Sequence, residues 1–224
     1  MIESSFCVLS GVGPKTGTPV VAAGRRNLDG VPLVRHHPRL RPRTAYLDIE
    51  TNSWGQITVV GLYGHGSFTS LVEGESLTRQ RLCEEVAQYD LLVTFNGTSF
   101  DLPVLLATIQ GLPLDQPHVD LCFLGRQLGY RGGLKAIEHQ LGIPRRPDLS
   151  GLSGAGAGQL WNRWRHHRDE EARERLLAYN EADCVNLQPL ADLFYCRMIQ
   201  QRRAPEGDAH TFMELDIHHG EPSF

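Results

Sequence analysis

Three strand-like runs separated by short turns open the regular part of this sequence. Residues 45–50 alternate between two faces, and residues 57–63 and 67–72 follow as two further runs rich in β-branched and aromatic residues. The turns between them contain glycine, so the three runs predict an antiparallel meander. A meander leaves sheet faces uncovered, and the remainder of the chain must supply the elements that pack on them.

The remainder alternates between helical and strand-like patterns. Ser76 is the predicted N-cap of the first helix, and Pro189 is expected to kink or divide the last one. The predicted helices are 76–89, 101–110, 133–141, 159–168 and 170–203, the predicted strands are 91–95 and 118–121, and 142–158 is a predicted loop. A meander followed by this alternation predicts an α/β fold with a mixed sheet flanked by helices, and the order of elements suits the ribonuclease H-like architecture.

Composition divides the chain into three parts. Residues 1–43 are rich in glycine, proline and arginine and predict an N-terminal extension, residues 44–203 form one predicted domain, and residues 204–224 predict a polar C-terminal tail. Six arginines of the extension precede the first strand, and their guanidinium groups suit phosphate oxygens. A coding bias that favours arginine throughout the chain accounts for them equally well. These arginines are Arg25, Arg26, Arg35, Arg39, Arg41 and Arg43.

Charge and hydropathy exclude several broad classes of protein. The net charge is −4, which argues against a protein that binds nucleic acid by bulk electrostatics. No apolar run approaches the roughly 20 residues that span a bilayer, and the N-terminus lacks the basic start and long apolar region of a signal peptide. The five cysteines show no zinc-type spacing. The expectation is a cytoplasmic protein that has no membrane partner.

Asp48 and Glu50 lie two residues apart in the first predicted strand. This spacing points both carboxylates to the same face of the sheet. Taken alone, the pair also fits an edge strand with a polar face. The apolar residues Leu47 and Ile49 on the opposite face favour an internal strand, where two carboxylates need a compensating cation.

Asp101 follows the buried strand predicted at 91–95, and it is accompanied by Asn96 and Phe100. In α/β sheets, ligands bind outside the carboxyl ends of the strands, so this position suits a functional carboxylate. The alternative is that Asp101 only caps the helix that follows. This motif alone does not decide between the two.

Tyr179 and Asp183 lie four residues apart in a predicted helix and therefore share one helix face. Leucines at 176, 187 and 190 surround that face, which predicts that the pair points inward. A phenol beside a metal-bound carboxylate can orient an attacking water by hydrogen bonding. The alternative is a surface helix whose acidic residues balance nearby arginines.

The three motifs together supply four carboxylates, from Asp48, Glu50, Asp101 and Asp183. Clustered carboxylates repel one another, so they stay ionised together only if cations sit between them. Oxygen ligands of this kind select Mg²⁺ or Mn²⁺ over zinc. The chemistry most often performed by such a cluster is phosphodiester hydrolysis with two metal ions. The motifs therefore predict a metal-dependent nuclease.

The order of the motifs, Asp-x-Glu, Asn-x₃-Phe-Asp and Tyr-x₃-Asp, resembles the DEDD superfamily of 3′–5′ exonucleases in its tyrosine-bearing branch. The segment 134–143, together with Leu160-Trp161 and the segment 179–187, is similar to the bacterial and archaeal ribonuclease H-like domains of the YprB type. The resemblance extends over about 44–197, which is most of the chain. It implies hydrolysis from the 3′ end of single-stranded or frayed nucleic acid, DNA or RNA, with two Mg²⁺ or Mn²⁺ ions as cofactors.

The resemblance also implies a role for each matching residue. Asp48 would bridge both metal ions, and Glu50 and Asp183 would complete the site of the ion that activates water. Asp101 would hold the second ion, partly through water, and Tyr179 would align the nucleophile. The implied contacts to the terminal nucleotide are Thr51 and Asn96, with Phe100 as packing beside them.

Other residues have weaker claims to a role. Asp120 fits either an outer acid near the site or a cap or turn residue. Lys135 fits either a phosphate contact at a helix N-terminus or a solvated side chain. Trp161 and Trp164 fit either base stacking or, more often for such residues, helix packing.

Two other functions fit the same sequence. One is a structure-selective endonuclease that uses the same metal ions, and the other is a nucleic-acid binding module without turnover. The presence of all the implied metal ligands argues against the second. The small size of the chain predicts low intrinsic processivity or a partner protein that supplies processivity or targeting.

Overall fold

The computed structural model describes residues 39–203, which form a mixed sheet with helices on both faces. The sheet has five strands in the order β3-β2-β1-β4-β5. β1 pairs antiparallel with β2 and parallel with β4, so the meander continues into a parallel half. The strands are β1 (Thr44–Thr51), β2 (Ile57–Gly64), β3 (Ser67–Val72), β4 (Leu91–Thr94) and β5 (His118–Asp120). The predicted meander and both later strands are confirmed.

Eight helices cover the sheet within the described part of the chain, after a 3₁₀ turn at Arg41–Arg43. The first five are α1 (Arg79–Val86), α2 (Asp101–Thr108), α3 (Leu121–Gln127), α4 (Leu134–Leu141) and α5 (Pro147–Ser150). The last three are α6 (Gly154–His167), α7 (Glu170–Val185) and α8 (Leu187–Arg203). None of the helices between residues 39 and 203 combines the length and the apolar character needed to cross a membrane.

The core has one layer of apolar side chains on each side of the sheet. Leu47 and Ile49 of β1 point to the side covered by α1 and α2. Tyr46 points to the opposite side, where it joins residues of α3, α4 and α8. Next to that cluster, α7 packs on β2 and β3, and α6 packs on α7 and β1. Because residues alternate along a strand, Asp48 and Glu50 share the face of Tyr46 and lie under α7.

Helix boundaries differ from the prediction in three places. The first helix begins after Thr78, whose side chain accepts a hydrogen bond from the Arg81 amide, while the Ser76 hydroxyl instead accepts from the Val72 amide. The predicted loop 142–158 contains α5 and the first turn of α6, and α3 was not predicted at all. Glycine at alternate positions from Gly154 hides the start of α6, because glycine is a poor helix former.

Pro189 has the predicted effect, since the last long helical segment is divided at Asn186 and the proline lies in the first turn of α8. A proline is tolerated there because the first amide groups of a helix have no partner within the helix. The division lets α7 lie over β1 and β2 while α8 packs against α3.

The predicted extension 1–43 is described only from residue 39, and the predicted tail 204–224 lies outside the described residues. Of the six arginines before β1, Arg25, Arg26 and Arg35 also lie outside them. Arg41 and Arg43 are engaged by the domain itself, in ion pairs with Asp192 and Asp90. These two arginines therefore bind carboxylates of the domain, whereas the sequence suggested phosphate oxygens as their partners.

Candidate metal centre

A cavity of about 220 Å³ opens at the carboxyl ends of β1 and β4, where α2 and α7 meet the sheet. All eight residues predicted for the site line this one cavity. They are Asp48, Glu50, Thr51, Asn96, Phe100, Asp101, Tyr179 and Asp183, and the other lining residues are Ile49, Phe95 and Gly154. The structure therefore brings together three motifs that are up to 135 residues apart in the sequence, counted from Asp48 to Asp183.

Asp48, Glu50 and Asp183 form the tightest group in the cavity. Each offers a carboxylate oxygen, and these oxygens lie within 4.8 Å of one another. Burial raises the pKa of Asp48 and Glu50 well above the usual values, and the charge of Asp183 raises both further. Burial also raises the pKa of Asp183. A buried group of oxygen ligands with these repulsions fits a divalent cation, which would offset them.

Asp101 lies in the same cavity but outside this tight group. Its Oδ1 accepts a hydrogen bond from the backbone N–H of Ile49 at 3.0 Å. Burial raises the pKa of Asp101 to about 7, although its backbone hydrogen bonds act in the opposite direction. Asp101 begins α2 and is fixed beside β1 rather than serving only as a helix cap. Its role as a ligand of a second ion remains a prediction.

Asn180 holds Asp48 in place. Its Nδ2 donates hydrogen bonds to Asp48 Oδ2 at 2.9 Å and to the Asp48 backbone carbonyl at 3.3 Å. Gly61, the partner of Asp48 across the β1–β2 ladder, makes this possible, since a Cβ there would collide with the Asn180 side chain. The missing side chain on β2 thus lets α7 approach the sheet closely enough to reach the site.

Arg145 and Glu138 form a buried ion pair behind Asp183. Arg145 Nη2 lies 2.7 Å from Glu138 Oε1 and 2.6 Å from Asp183 Oδ1. The Arg145 Nε also donates to Glu138 Oε2 at 2.9 Å, so the guanidinium binds the Glu138 carboxylate through two hydrogen bonds. Asn186 Nδ2 adds a further bond to Glu138 at 3.1 Å. This arrangement fixes one oxygen of Asp183 and places a positive charge against it.

Lys135 lies beside Tyr179 rather than in solvent. Its Nζ donates a hydrogen bond to the Tyr179 hydroxyl oxygen at 2.5 Å and lies 4.3 Å from the centre of the ring. Burial raises the pKa of Tyr179, and the charges of Asp183, Glu50 and Asp48 raise it further. The phenol therefore stays protonated. Because its oxygen accepts from Lys135, its own proton remains available for donation into the cavity.

Asp120 has the cap and turn role. Its carboxylate accepts hydrogen bonds from the backbone N–H groups of Asn96, Thr98 and Cys122, at 2.7, 2.9 and 3.0 Å. The Cys122 bond caps α3, and the other two bonds hold the loop that follows β4. Asn96 adopts a positive φ of 65°, which this anchoring stabilises. Asp120 thus positions a cavity residue from outside the cavity.

Several residues that support the site were not predicted from the sequence to have a role in it. Asn180, Glu138 and Arg145 belong to segments that the motif order or the resemblance includes, but their contacts depend on residues distant in the chain. Charged residues in an amphipathic helix such as α4 are usually solvated, so no local signal marks Glu138 as buried. Trp161 and Trp164 are buried against each other, with ring centroids 5.0 Å apart, and this confirms the packing interpretation.

A mixed sheet flanked by helices, with a carboxylate cavity at the carboxyl ends of its central strands, defines a ribonuclease H-like domain. The sequence model of the RNase H superfamily matches residues 45–195. The chain belongs to the RNase H superfamily, and the predicted fold class is confirmed.

The fold also resembles that of a solved polymerase. A family B DNA polymerase from the hyperthermophilic archaeon Pyrobaculum calidifontis superposes with a TM-score of 0.56 at 18% sequence identity, over 70% of this chain and 25% of the polymerase. The chain thus corresponds to about a quarter of that polymerase, and a likeness at this identity concerns the fold alone. No curated protein matches the chain. Superfamily membership and the acidic group together support a nuclease that acts on nucleic acid with divalent metal ions.

Proposed function

We propose that this protein is a 3′–5′ exonuclease that hydrolyses single-stranded or frayed nucleic acid with two divalent metal ions, Mg²⁺ or Mn²⁺. The observation that carries the proposal is the single cavity in which Asp48, Glu50 and Asp183 converge with Asp101 and Tyr179. Four carboxylates and a protonated phenol at one sheet end are a costly arrangement for the fold alone. They are explained by a cation-dependent reaction.

The carboxylates would hold the ions in two overlapping sets. Asp48, Glu50 and Asp183 are close enough together to share one ion, and Asp48 and Asp101 would hold the other. Bound divalent ions supply polarisation of the scissile phosphate and stabilise charge on the leaving 3′-oxygen. The protein contributes rigid ligands, because Asn180 fixes Asp48 and the Ile49 amide fixes Asp101.

Tyr179 would orient the attacking water. Its hydroxyl accepts from Lys135, so its proton would be free to donate to a water in the cavity and to hold that water against the phosphate. The raised pKa of Tyr179 argues for a positioning hydrogen bond rather than proton abstraction. Lys135 would thus act through Tyr179.

The cavity suits the terminal nucleotide of a single nucleic-acid strand. Its volume is about 220 Å³, so no more than one nucleotide would enter it at a time. Thr51, Asn96 and Phe100 line its wall and would contact the terminal sugar and base.

The proposal is tested by a cleavage time course on 5′-labelled single-stranded DNA and RNA with Mn²⁺, Mg²⁺ or EDTA. We expect a ladder that shortens from the 3′ end, depends on the metal ion and disappears in EDTA. The same comparison identifies the preferred sugar. Discrete internal products would contradict the exonuclease and indicate a structure-selective endonuclease. Binding without any cleavage would indicate a nucleic-acid binding module.

Replacing Tyr179 with phenylalanine should lower kcat while the fold stays intact. The ring and its packing are retained, and only the hydroxyl between Lys135 and the cavity is lost. A hydrogen bond to a charged group contributes about 1.5–3 kcal/mol, which corresponds to a rate lower by roughly 10- to 100-fold. Single-turnover rates at saturating metal measure this effect.

The matched control for this substitution is Tyr89→Phe. Tyr89 is also a largely buried tyrosine, but it packs against Gly64 and His65 at the opposite end of the sheet. The single-turnover cleavage rate of the Tyr89→Phe variant should match that of the wild-type protein. Equal rates for the Tyr179→Phe and Tyr89→Phe variants would remove Tyr179 from the mechanism.

A further inference from the structure

Trp54 is the most exposed large hydrophobic side chain among residues 39–203, at 77% exposure. It lies in the turn between β1 and β2. The other two tryptophans of the chain, Trp161 and Trp164, are buried in the layer formed by α6 and α7. Leaving a tryptophan in water forgoes the large gain from burying its ring, so Trp54 calls for an explanation.

The turn that carries Trp54 is rigidly built. Asn52 Oδ1 accepts hydrogen bonds from the backbone N–H groups of Trp54 and Gln56, both at 3.0 Å. Asn52 Nδ2 donates to Gln56 Oε1 at 2.8 Å, and the backbones of Asn52 and Gln56 also pair. Gly55 supplies the positive φ of 76° that closes the turn. The indole is therefore presented on a preorganised support, which lowers the entropic cost of binding.

The turn stands at the cavity end of the sheet. β1 runs parallel to β4, so the residues after β1 lie at the same end as Phe95 and Asn96, which line the cavity. Trp54 follows the lining residue Thr51 by three positions, and three residues span at most about 11 Å. Phe100, which is 42% exposed, provides a second aromatic ring in the cavity wall.

The chemistry of the turn suits a nucleobase. Residues 52–56 are uncharged, so a phosphodiester strand meets no repulsion there, in contrast to the carboxylate cavity. One indole exposes on the order of 200 Å², whereas a stable protein interface buries about 800 Å² on each partner. A flat aromatic ligand the size of one base matches the available surface, and stacking on such a ring is tolerant of base identity.

We propose that Trp54 is a base-stacking platform that holds a nucleobase of the single strand upstream of the nucleotide in the cavity. This proposal rests on the proposed nuclease function, because the strand is placed by the cavity. It extends the contact surface beyond Thr51, Asn96 and Phe100 to a turn outside the three acidic motifs.

The test measures binding of a 5′-fluorescein-labelled oligothymidylate by anisotropy, in EDTA so that no cleavage occurs. Trp54→Ala should weaken binding by roughly 5- to 100-fold, and Trp54→Phe should retain most of the affinity. The matched control is Leu193→Ala, which truncates another exposed apolar side chain, on α8, and should bind as the wild-type protein does. With Mn²⁺ present, Trp54→Ala should raise KM by a similar factor and keep kcat.

An abasic series locates the stacked base. Replacing thymines one at a time with an abasic site, moving upstream from the 3′ end, should weaken wild-type binding most strongly at one position. At that position, the abasic site should not weaken binding by the Trp54→Ala variant any further, because this variant already lacks the indole on which the base would stack. If the abasic site and Trp54→Ala instead lower the affinity additively, the platform is overturned.

The outcomes separate the platform from the nuclease. Wild-type affinity for the oligothymidylate in Trp54→Ala, with 3′-end cleavage intact, overturns the platform and leaves the nuclease in place. Base-dependent binding that requires Trp54, without cleavage by any metal-loaded protein, supports the platform and overturns the nuclease. Absence of oligonucleotide binding by the wild-type protein in EDTA overturns the platform, and the nuclease is then judged by the cleavage assay with Mn²⁺ alone.

Discussion

Replacing Asp48 with asparagine is expected to abolish cleavage and to leave the metal-free protein as stable as the wild-type protein or more stable. Asp48 belongs to the tight carboxylate group, together with Glu50 and Asp183. An amide is a poor substitute for a carboxylate that binds cations. Loss of several kcal/mol of transition-state stabilisation corresponds to about three orders of magnitude in rate.

The stability of the metal-free variant follows from the sign of the pKa shift. Burial and the charges of Asp183 and Glu50 raise the pKa of Asp48 well above its usual value. The folded state therefore binds this proton more tightly than the unfolded state, and stability falls as the pH rises from the unfolded pKa toward the folded one. Above the unfolded-state pKa, the folded protein must either take up this proton or bury the charge, and Asp48→Asn removes that cost. The Asn180 hydrogen bond survives, because an amide oxygen can accept it.

Two thermal melts, with EDTA and with Mn²⁺, check this prediction alongside the cleavage assay. Mn²⁺ should raise the melting temperature of the wild-type protein and shift Asp48→Asn much less. The control is Asp115→Asn, which changes an exposed aspartate outside the cavity and should keep both activity and metal stabilisation. Severe unfolding of Asp48→Asn in EDTA would instead assign Asp48 a structural role.

The sheet and the cavity residues were predictable because their signals are local. Alternation along 45–50 identifies the face that Asp48 and Glu50 share, and a spacing of four in a helix places Tyr179 and Asp183 together. The order of the three motifs then identified the residues that meet in the cavity. The structure gathers all of them at one sheet end.

The supports of the site were not predictable from local pattern. Arg145 follows α4 in a segment rich in proline and charge, and nothing nearby shows that it reaches Asp183. In the sequence alone, Gly61 is only a residue that weakens a strand, and its role follows from the close approach of α7 to β2. Trp54 reads as one more aromatic residue near a turn. Each of these depends on contacts between distant segments, which composition and periodicity do not encode.

Replacing Arg145 with methionine should destabilise the protein strongly and weaken metal binding. Arg145 and Glu138 have side-chain exposures of only 6% and 3%, so the substitution leaves Glu138 as a buried, uncompensated charge. Breaking a buried pair in this way costs about 3–5 kcal/mol. Asp183 also loses the group that fixes its Oδ1, and freedom in that carboxylate should lower the affinity for Mn²⁺.

The neighbouring residue provides a matched control. Arg146 forms an equivalent ion pair with Asp148, but these side chains are 66% and 48% exposed. Arg146→Met removes the same number of atoms and the same charge in solvent, where the pair contributes little. Its urea midpoint and its Mn²⁺ affinity should match those of the wild-type protein. Equal midpoints for the Arg145→Met and Arg146→Met variants would contradict a structural role for the buried pair.

A double-mutant cycle then separates the pair from simple loss of packing. Glu138→Met alone leaves Arg145 with Asp183 as its remaining ion-pair partner, and Arg145→Met alone leaves Glu138 as a buried charge without its cation. The double variant removes both charges of the pair, so its destabilisation should be smaller than the sum of the single effects. If the double variant recovers stability but not Mn²⁺ affinity, the pair serves chiefly to position Asp183. Recovery of both would assign it to the fold alone, because Asp183 would then bind the ion equally well without the guanidinium.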